Sequence, residues 1–216
     1  MLSMLEEIVL LAVNEKTGEL RSTREFGTAY ALVGAVFFDL ALARKIDTSE
    51  EEIQVIDTAP TGNPALDRVL EKMAQRRDLK TVREWIEEIF LSRHDLEGAA
   101  LRSLIMQGIL RHETGKRLWV IDVERFPMVN ERPQQHVKVR LAQAILTDEI
   151  PETRDIMLVA IAEHCGLLGY VLSDAQLVNR KERIQALSNL ETISRKVTDA
   201  ILNLDTSVRQ TITKVV

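Results

Sequence analysis

Residues 27–45 constrain the fold more than any other stretch of the chain. Ala29, Leu32, Val33, Val36, Phe37 and Leu40 recur at helical spacing, and the other residues of the apolar run 29–38 make the helix apolar almost all round. A helix without a polar face is stable in water only when other elements cover it on every side, which puts this one at the centre of a domain. Its apolar run, 29–38, falls short of the roughly 20 residues that cross a bilayer, and Tyr30 and Gly34 interrupt it. The chain has 216 residues, 45% of them hydrophobic, enough for one large core. Aromatics at 4%, with 9 Gly and 5 Pro, are sparse for a β-sandwich. The expected fold is mainly α: a single globular multi-helix domain over 1–216.

Local signals place the other elements. Met1–Val13 reads as a helix with Leu2, Leu5, Ile8, Val9 and Ala12 on one face, followed by a turn at 14–18. Ile53–Ile56 reads as a short strand after the acidic tip 50–52. Asn63 before Pro64 is an N-cap followed by a first-turn proline, and Thr81 with Glu84 is a capping box. A helix over 95–107 stops at Gly108. Segments 109–111 and 118–123 flank Glu113-Thr114-Gly115-Lys116 and predict one prominent β-hairpin, with a second small one elsewhere. Helices follow over 131–146 and 151–166, with a kinked continuation to Leu172; the first has a basic outer side of Arg132, Lys138 and Arg140. Ser173, and Ser188 with Glu191, are read as the starts of the last two.

Most catalytic devices are missing from the sequence. There is no GxxxxGK[ST], GxGxxG or GxSxG pattern. His94, His112, His136 and His164 form no HxxxH or HExxH spacing, so no metal site and no cofactor are expected. His164 and Cys165 are adjacent on a helix and point about 100° apart, so Cys165 is read as a buried structural thiol. The carboxylate pairs Glu6–Glu7 and Glu87–Glu88 are read as solvated helix faces. One cysteine excludes an internal disulfide and points to a reducing compartment. The N-terminus lacks a signal-peptide pattern, and no lipidation signal is present, so a cytoplasmic protein is expected.

Charge excludes a global nucleic-acid field: 28 Lys and Arg against 33 Asp and Glu give −5. Helix 95–107 followed by the hairpin has a winged-helix outline, but Arg102 is its only cation beside Asp95 and Glu97. No nucleic-acid partner is expected. Local basic groups do occur, at Arg76, Arg77, Lys80 and Arg83 and at Arg21 and Arg24. They are read as solvated helix ends, with contact to anionic lipid headgroups as the functional alternative. The hairpin carries Leu110, Leu118, Trp119, Val120, Ile121 and Phe126; core packing, a subunit contact and a membrane contact all fit them.

Several blocks together resemble the Golgi phosphoprotein 3 family of phosphoinositide-binding peripheral membrane proteins. The most specific are Asp39-Leu40-Ala41-Leu42-Ala43-Arg44-Lys45-Ile46 and Pro60-Thr61-Gly62-Asn63-Pro64-Ala65-Leu66-Asp67. Glu6–Ala12, Trp85-Ile86 and Leu101–Leu110 match in order and spacing. The resemblance implies a mostly helical, non-enzymatic protein that binds phosphatidylinositol 4-phosphate through a shallow apolar and basic face. It also implies self-association through the hairpin, at Leu118, Trp119, Val120 and Ile121, as a homo-oligomer, and partners among the cytosolic tails of membrane proteins. The chain starts directly at the domain, without the basic tail of the eukaryotic members, which suggests a prokaryotic relative.

The family's headgroup pocket uses a Trp after the first turn, an Arg ahead of the glycine of the central helix, and two Arg three residues apart. On this sequence those positions fall on Thr23 or Arg24, on Val33, and on His94 and Glu97. None of the residue types is kept, and Glu97 would repel a phosphate. The expectation is therefore a peripheral protein at the cytosolic membrane face that binds anionic headgroups, protein tails or both. The alternative is a protein–protein or nucleic-acid interaction module without a lipid role.

Overall fold

A computed structural model describes residues 1–21, 26–49, 52–76, 80–117, 121–190, 195–197 and 199–201. The chain runs α1 (Met4–Ala12), α2 (Gly27–Leu42), β1 (Ile46–Ser49), β2 (Glu52–Val55), α3 (Pro64–Ala74), β3 (Lys80–Thr81), α4 (Val82–Phe90) and α5 (Arg93–Met106). It continues with β4 (Glu113–Arg117), β5 (Ile121–Arg125), α6 (Arg132–Leu146), α7 (Thr153–His164), a 3-10 turn at Leu168–Tyr170, α8 (Asp174–Asn179) and α9 (Lys181–Ser188). The fold is mainly α, as expected. One continuous apolar core extends from Met4 to Ile201.

The central position of α2 follows from its composition. Helices α1, α3, α4, α5 and α7 all pack on it. Its residues from Tyr30 to Leu40 are buried, with Phe37 and Phe38 fully covered. Gly34 is what lets α7 approach: a Cβ there would stand 2.5 Å from Ile161 Cδ1. Asn63 caps α3 through a bond from Ala65 N–H at 2.9 Å, and Thr81 and Glu84 form the expected capping box of α4. Each such cap contributes about 1 kcal/mol. Gly108 takes φ +67 after α5, the left-handed conformation expected of a helix-ending glycine.

Several expectations need correction. Helix α1 begins at Met4 rather than Met1, because Ser3 and Glu6 close a capping box. Segment 46–49 is a strand, so β2 lies between β1 and β3 in a three-stranded antiparallel sheet. In the hairpin, Glu113–Lys116 is strand rather than turn; Glu113 pairs with Arg125 and Arg117 with Ile121. Segment 109–111 contributes only an isolated bridge, Leu110 to Met128. Ser188 does not open a helix: it ends α9, and its hydroxyl donates to the Ile184 carbonyl at 2.9 Å.

Glu6 and Glu7 of α1 and Arg140 of α6 are not on solvated faces, whereas Arg132 of α6 is exposed. Glu6 and Glu7 are both buried, Glu7 to 2% exposure. Glu7 takes Arg140 Nη1 at 2.8 Å and Arg154 Nη2 at 3.1 Å, and Arg140 also holds Asp155 at 2.5 Å. Arg140 thus belongs to an internal network and not to a basic outer side. Glu6 accepts from Ser103 Oγ and Gln107 Nε2, both at 2.7 Å. Asp39, on α2, accepts from the N–H groups of Met4 at 3.0 Å and Leu5 at 3.2 Å. Its carboxylate meets the positive end of α1, where an anion is favoured. Burial nonetheless pushes the Asp39 carboxyl above its ordinary range.

The first turn is tied to the hairpin. Phe126 N–H donates to Gly18 O at 2.6 Å. Gly18 has φ +71, and a Cβ on it would meet Pro127 N at 2.8 Å, so only glycine fits this approach.

A candidate headgroup cleft at the start of α2 and α5

Helices α2 and α5 begin side by side, and neither first turn has a side-chain cap. Phe26 precedes α2 and Ser92 precedes α5, and neither side chain bonds its helix. Helix starts carry unsatisfied N–H groups and partial positive charge, which attract anions. The two first turns line a cleft of about 390 Å³ together with Leu20, Arg21 and Leu32. From α2 it receives Gly27, Thr28 and Ala29, and from α5 Arg93, His94 and Glu97.

Aromatic rings form one side of this region. Phe90 stacks on Tyr30 with ring centroids 4.6 Å apart and meets Phe26 edge-on at 5.7 Å. The Arg93 guanidinium lies 4.6 Å over the Phe90 ring and donates to the Phe90 carbonyl at 3.2 Å. Arg21 lies 4.4 Å over the Tyr170 ring. Among the described residues neither arginine is ion-paired to a carboxylate. Rings position each cation while leaving its charge unneutralised. Phe26, which lines the cleft, is 38% exposed, so an apolar ring stands beside the cations, and Leu91, next to Phe90 in sequence, is 78% exposed.

Glu97 is the discordant group. It is partly buried, and burial is the main reason its carboxyl stands above the ordinary range; His94 pulls it down and Glu124 pushes it up. Among the described residues it has no ion pair and no hydrogen bond.

The cleft brings His94 and Glu97 together, as positions three apart on one helix should be. Val33 is not part of the lining; it is fully buried in the core on α2. Arg24 lies outside the described residues, as do Leu118, Trp119 and Val120. Ile121 is the first residue of β5, paired with Arg117. Sequence reasoning missed Arg93 and Phe26 as lining residues. The signal for Arg93 was its place one residue ahead of His94 at a helix start.

The described members of the other basic group, Arg76, Lys80 and Arg83, are ion-paired, and Arg77 lies outside the described residues. Lys80, Lys72 and Arg76 converge on Glu88, the last two at 3.2 Å, and Lys80 leads in holding its carboxyl down to about 2. Arg83 pairs with Glu87 at 3.1 Å. A larger cleft, of about 920 Å³, lies at the opposite end of α2 and α5, among Leu42, Asn63, Arg68, Arg102 and Met106. Among the described residues, no group of His, Cys, Asp and Glu could hold a metal ion, and no helix is long and apolar enough to cross a membrane.

The chain is similar to vacuolar protein sorting-associated protein 74 of Eremothecium gossypii, with 26% identity over 207 residues. That match covers 80% of this chain, which spans 62% of the length of the relative. The family model for Golgi phosphoprotein 3 (GPP34) matches residues 4–204. With nearly the whole sequence matched, the chain belongs to the Golgi phosphoprotein 3 family.

Proposed function

We propose that this protein is a non-enzymatic peripheral membrane protein that holds phosphate-bearing lipid headgroups in the cleft between α2 and α5. The observation that carries the reading is the convergence of Arg21, Arg93 and His94 with two helix starts that have no side-chain cap. A phosphate needs several converging donors, and arginine forks and helix-start amides are the groups that recognise it. Membership in the Golgi phosphoprotein 3 family supports a membrane-associated role at the cytosolic face. The name of the relative places that protein in vacuolar protein sorting, which supports cytosolic tails of membrane proteins as a second class of partner.

Phe26 and Leu91 suit the same surface. Apolar side chains beside cations settle at the boundary between headgroups and acyl chains. Self-association through the hairpin, with Leu118, Trp119, Val120 and Ile121 as the contact, is the second part of the proposal.

Vesicle flotation tests the reading. The protein is mixed with neutral, phosphatidylglycerol, phosphatidylethanolamine and phosphatidylinositol 4-phosphate vesicles at about 50 and 200 mM salt, a span over which screening weakens surface charge. Flotation with a phosphate-bearing vesicle, weakened by R21A/R93A, is expected. Absence from every vesicle fraction, or salt-sensitive retention on duplex DNA instead, contradicts it.

A further inference from the structure

The charge pattern of the cleft is divided. Arg21, Arg93 and His94 favour an anion, yet Glu97 opens into the same 390 Å³ space. Arg93 and Glu97 are four apart on α5, the spacing at which arginine and glutamate ordinarily pair. They do not pair, because the guanidinium is turned onto the Phe90 ring and carbonyl. A partly buried carboxylate without a partner is costly, and the cost disappears when a cation or a proton reaches it. His94 favours its charged form, and Glu124 of the hairpin, of the same sign, opposes it. Among the described residues, the cleft therefore has donors for a phosphate and a vacant acceptor for a cation.

We infer that the cleft takes a headgroup carrying both a phosphodiester and a primary ammonium, with the phosphate toward Arg21 and Arg93 and the ammonium on Glu97. The inference rests on the headgroup reading above and names its chemical class. A phosphomonoester carries about 1.5–2 negative charges and would bring the excess against Glu97. A phosphodiester carries one, and the ammonium linked to it cancels the carboxylate. The space, about 390 Å³, is at the lower end of the roughly 300–1,000 Å³ typical of small-ligand pockets.

Two soluble probes separate this from plain anion binding. Glycerophosphoethanolamine is zwitterionic, and glycerophosphoglycerol is the matched anion without the ammonium. Non-specific electrostatics favours the second; a Glu97–ammonium contact favours the first. Calorimetric titration of the whole chain should give about tenfold tighter binding of glycerophosphoethanolamine, the size of one charge-assisted hydrogen bond. Glu97→Gln should abolish that preference, and Glu97→Asp should retain it, with thermal melts checking that both variants are folded. Equal or tighter binding of glycerophosphoglycerol by the wild type, or an unchanged ratio in Glu97→Gln, overturns the inference while leaving headgroup binding intact. Flotation with phosphatidylethanolamine vesicles identifies the lipid as the source. Binding of the soluble probe without flotation supports the same chemistry in a free ligand and contradicts the membrane reading. No binding of any probe or vesicle overturns both.

Discussion

Arg93 and Glu97 stand one turn apart on α5, line the same cleft, and do not touch: the arginine is held by Phe90 instead. This relationship keeps a positive and a negative group available side by side. An internal ion pair would have cancelled both.

Acid should change what the cleft accepts. Burial holds the Glu97 carboxyl above the usual range, so it takes its proton at a higher pH than a free glutamate. As pH falls through that raised value, negative charge leaves the cleft, while Arg21 and Arg93 stay charged. Binding of glycerophosphoglycerol should strengthen as pH falls from neutral toward 4.5, the ordinary carboxyl value, and the preference for the ammonium probe should fade. Glu97→Gln has no carboxyl to take the proton and should show the shallower pH step. The proton also stabilises the fold: a raised carboxyl penalises the ionised state, and that penalty is relieved as pH falls through the folded value. Titrations at a series of pH values check the direction.

Glu88 should behave in the opposite sense. Lys80, Lys72 and Arg76 hold its carboxyl down to about 2. A depressed carboxyl contributes stability above the unfolded value of 4.5, and that stability is lost as pH falls from there through the folded value. Thermal melts between about pH 5 and pH 2 should fall less steeply in Glu88→Gln than in the wild type. The same variant frees three cations, so it should float more strongly with any anionic vesicle at low salt.

Removal of Glu7 should be severe. The carboxylate is 2% exposed and is shared by Arg140 and Arg154. Breaking a buried pair by deleting one partner costs about 3–5 kcal/mol, because the charges that remain cannot reach water. Glu7→Ala should lose that amount in urea denaturation, whereas Arg83→Ala, which breaks an exposed pair with Glu87, should lose less than about 1 kcal/mol.

Gly34 is a packing contact between α2 and α7. A Cβ there would stand 2.5 Å from Ile161 Cδ1 and 3.4 Å from Val197 Cγ1. Gly34→Val should destabilise by about 1–3 kcal/mol through overpacking. Adding Ile161→Val removes the closest carbon, so the double variant should recover part of the loss, a coupling that denaturation of all four proteins measures.

Features governed by neighbours in sequence were legible before the fold was known. The apolar circumference of α2, the Asn63–Pro64 start, the Thr81–Glu84 box and the stop at Gly108 depend on residues within one or two turns. What failed depends on distant partners. Glu6 and Glu7 read as solvated because the groups that bury and satisfy them, Ser103, Gln107, Arg140 and Arg154, lie about a hundred residues or more away. Ser188 carried a capping pattern, but its hydroxyl turns back onto Ile184 inside a helix. Hairpin register was misplaced because Glu113-Thr114-Gly115-Lys116 has turn composition, while the bridge from Leu110 to Met128 joins the two arms at their open end and the bond from Phe126 to Gly18 ties them to the first turn. Of the candidate site, His94 and Glu97 were legible through family position. Arg93 and Phe26 were not, because their place in the cleft follows from rings that meet only when α2 and α4 pack.

The most direct test is an amide nitrogen–proton spectrum of the whole chain, titrated with glycerophosphoethanolamine and then with glycerophosphoglycerol. The account predicts saturable shifts of Gly27, Thr28 and Ala29 on α2 and of His94 and Glu97 on α5, larger with the ammonium-bearing probe. Shifts confined to the opposite cleft around Leu42, Asn63 and Arg68, or no saturable shift with either probe, would contradict it.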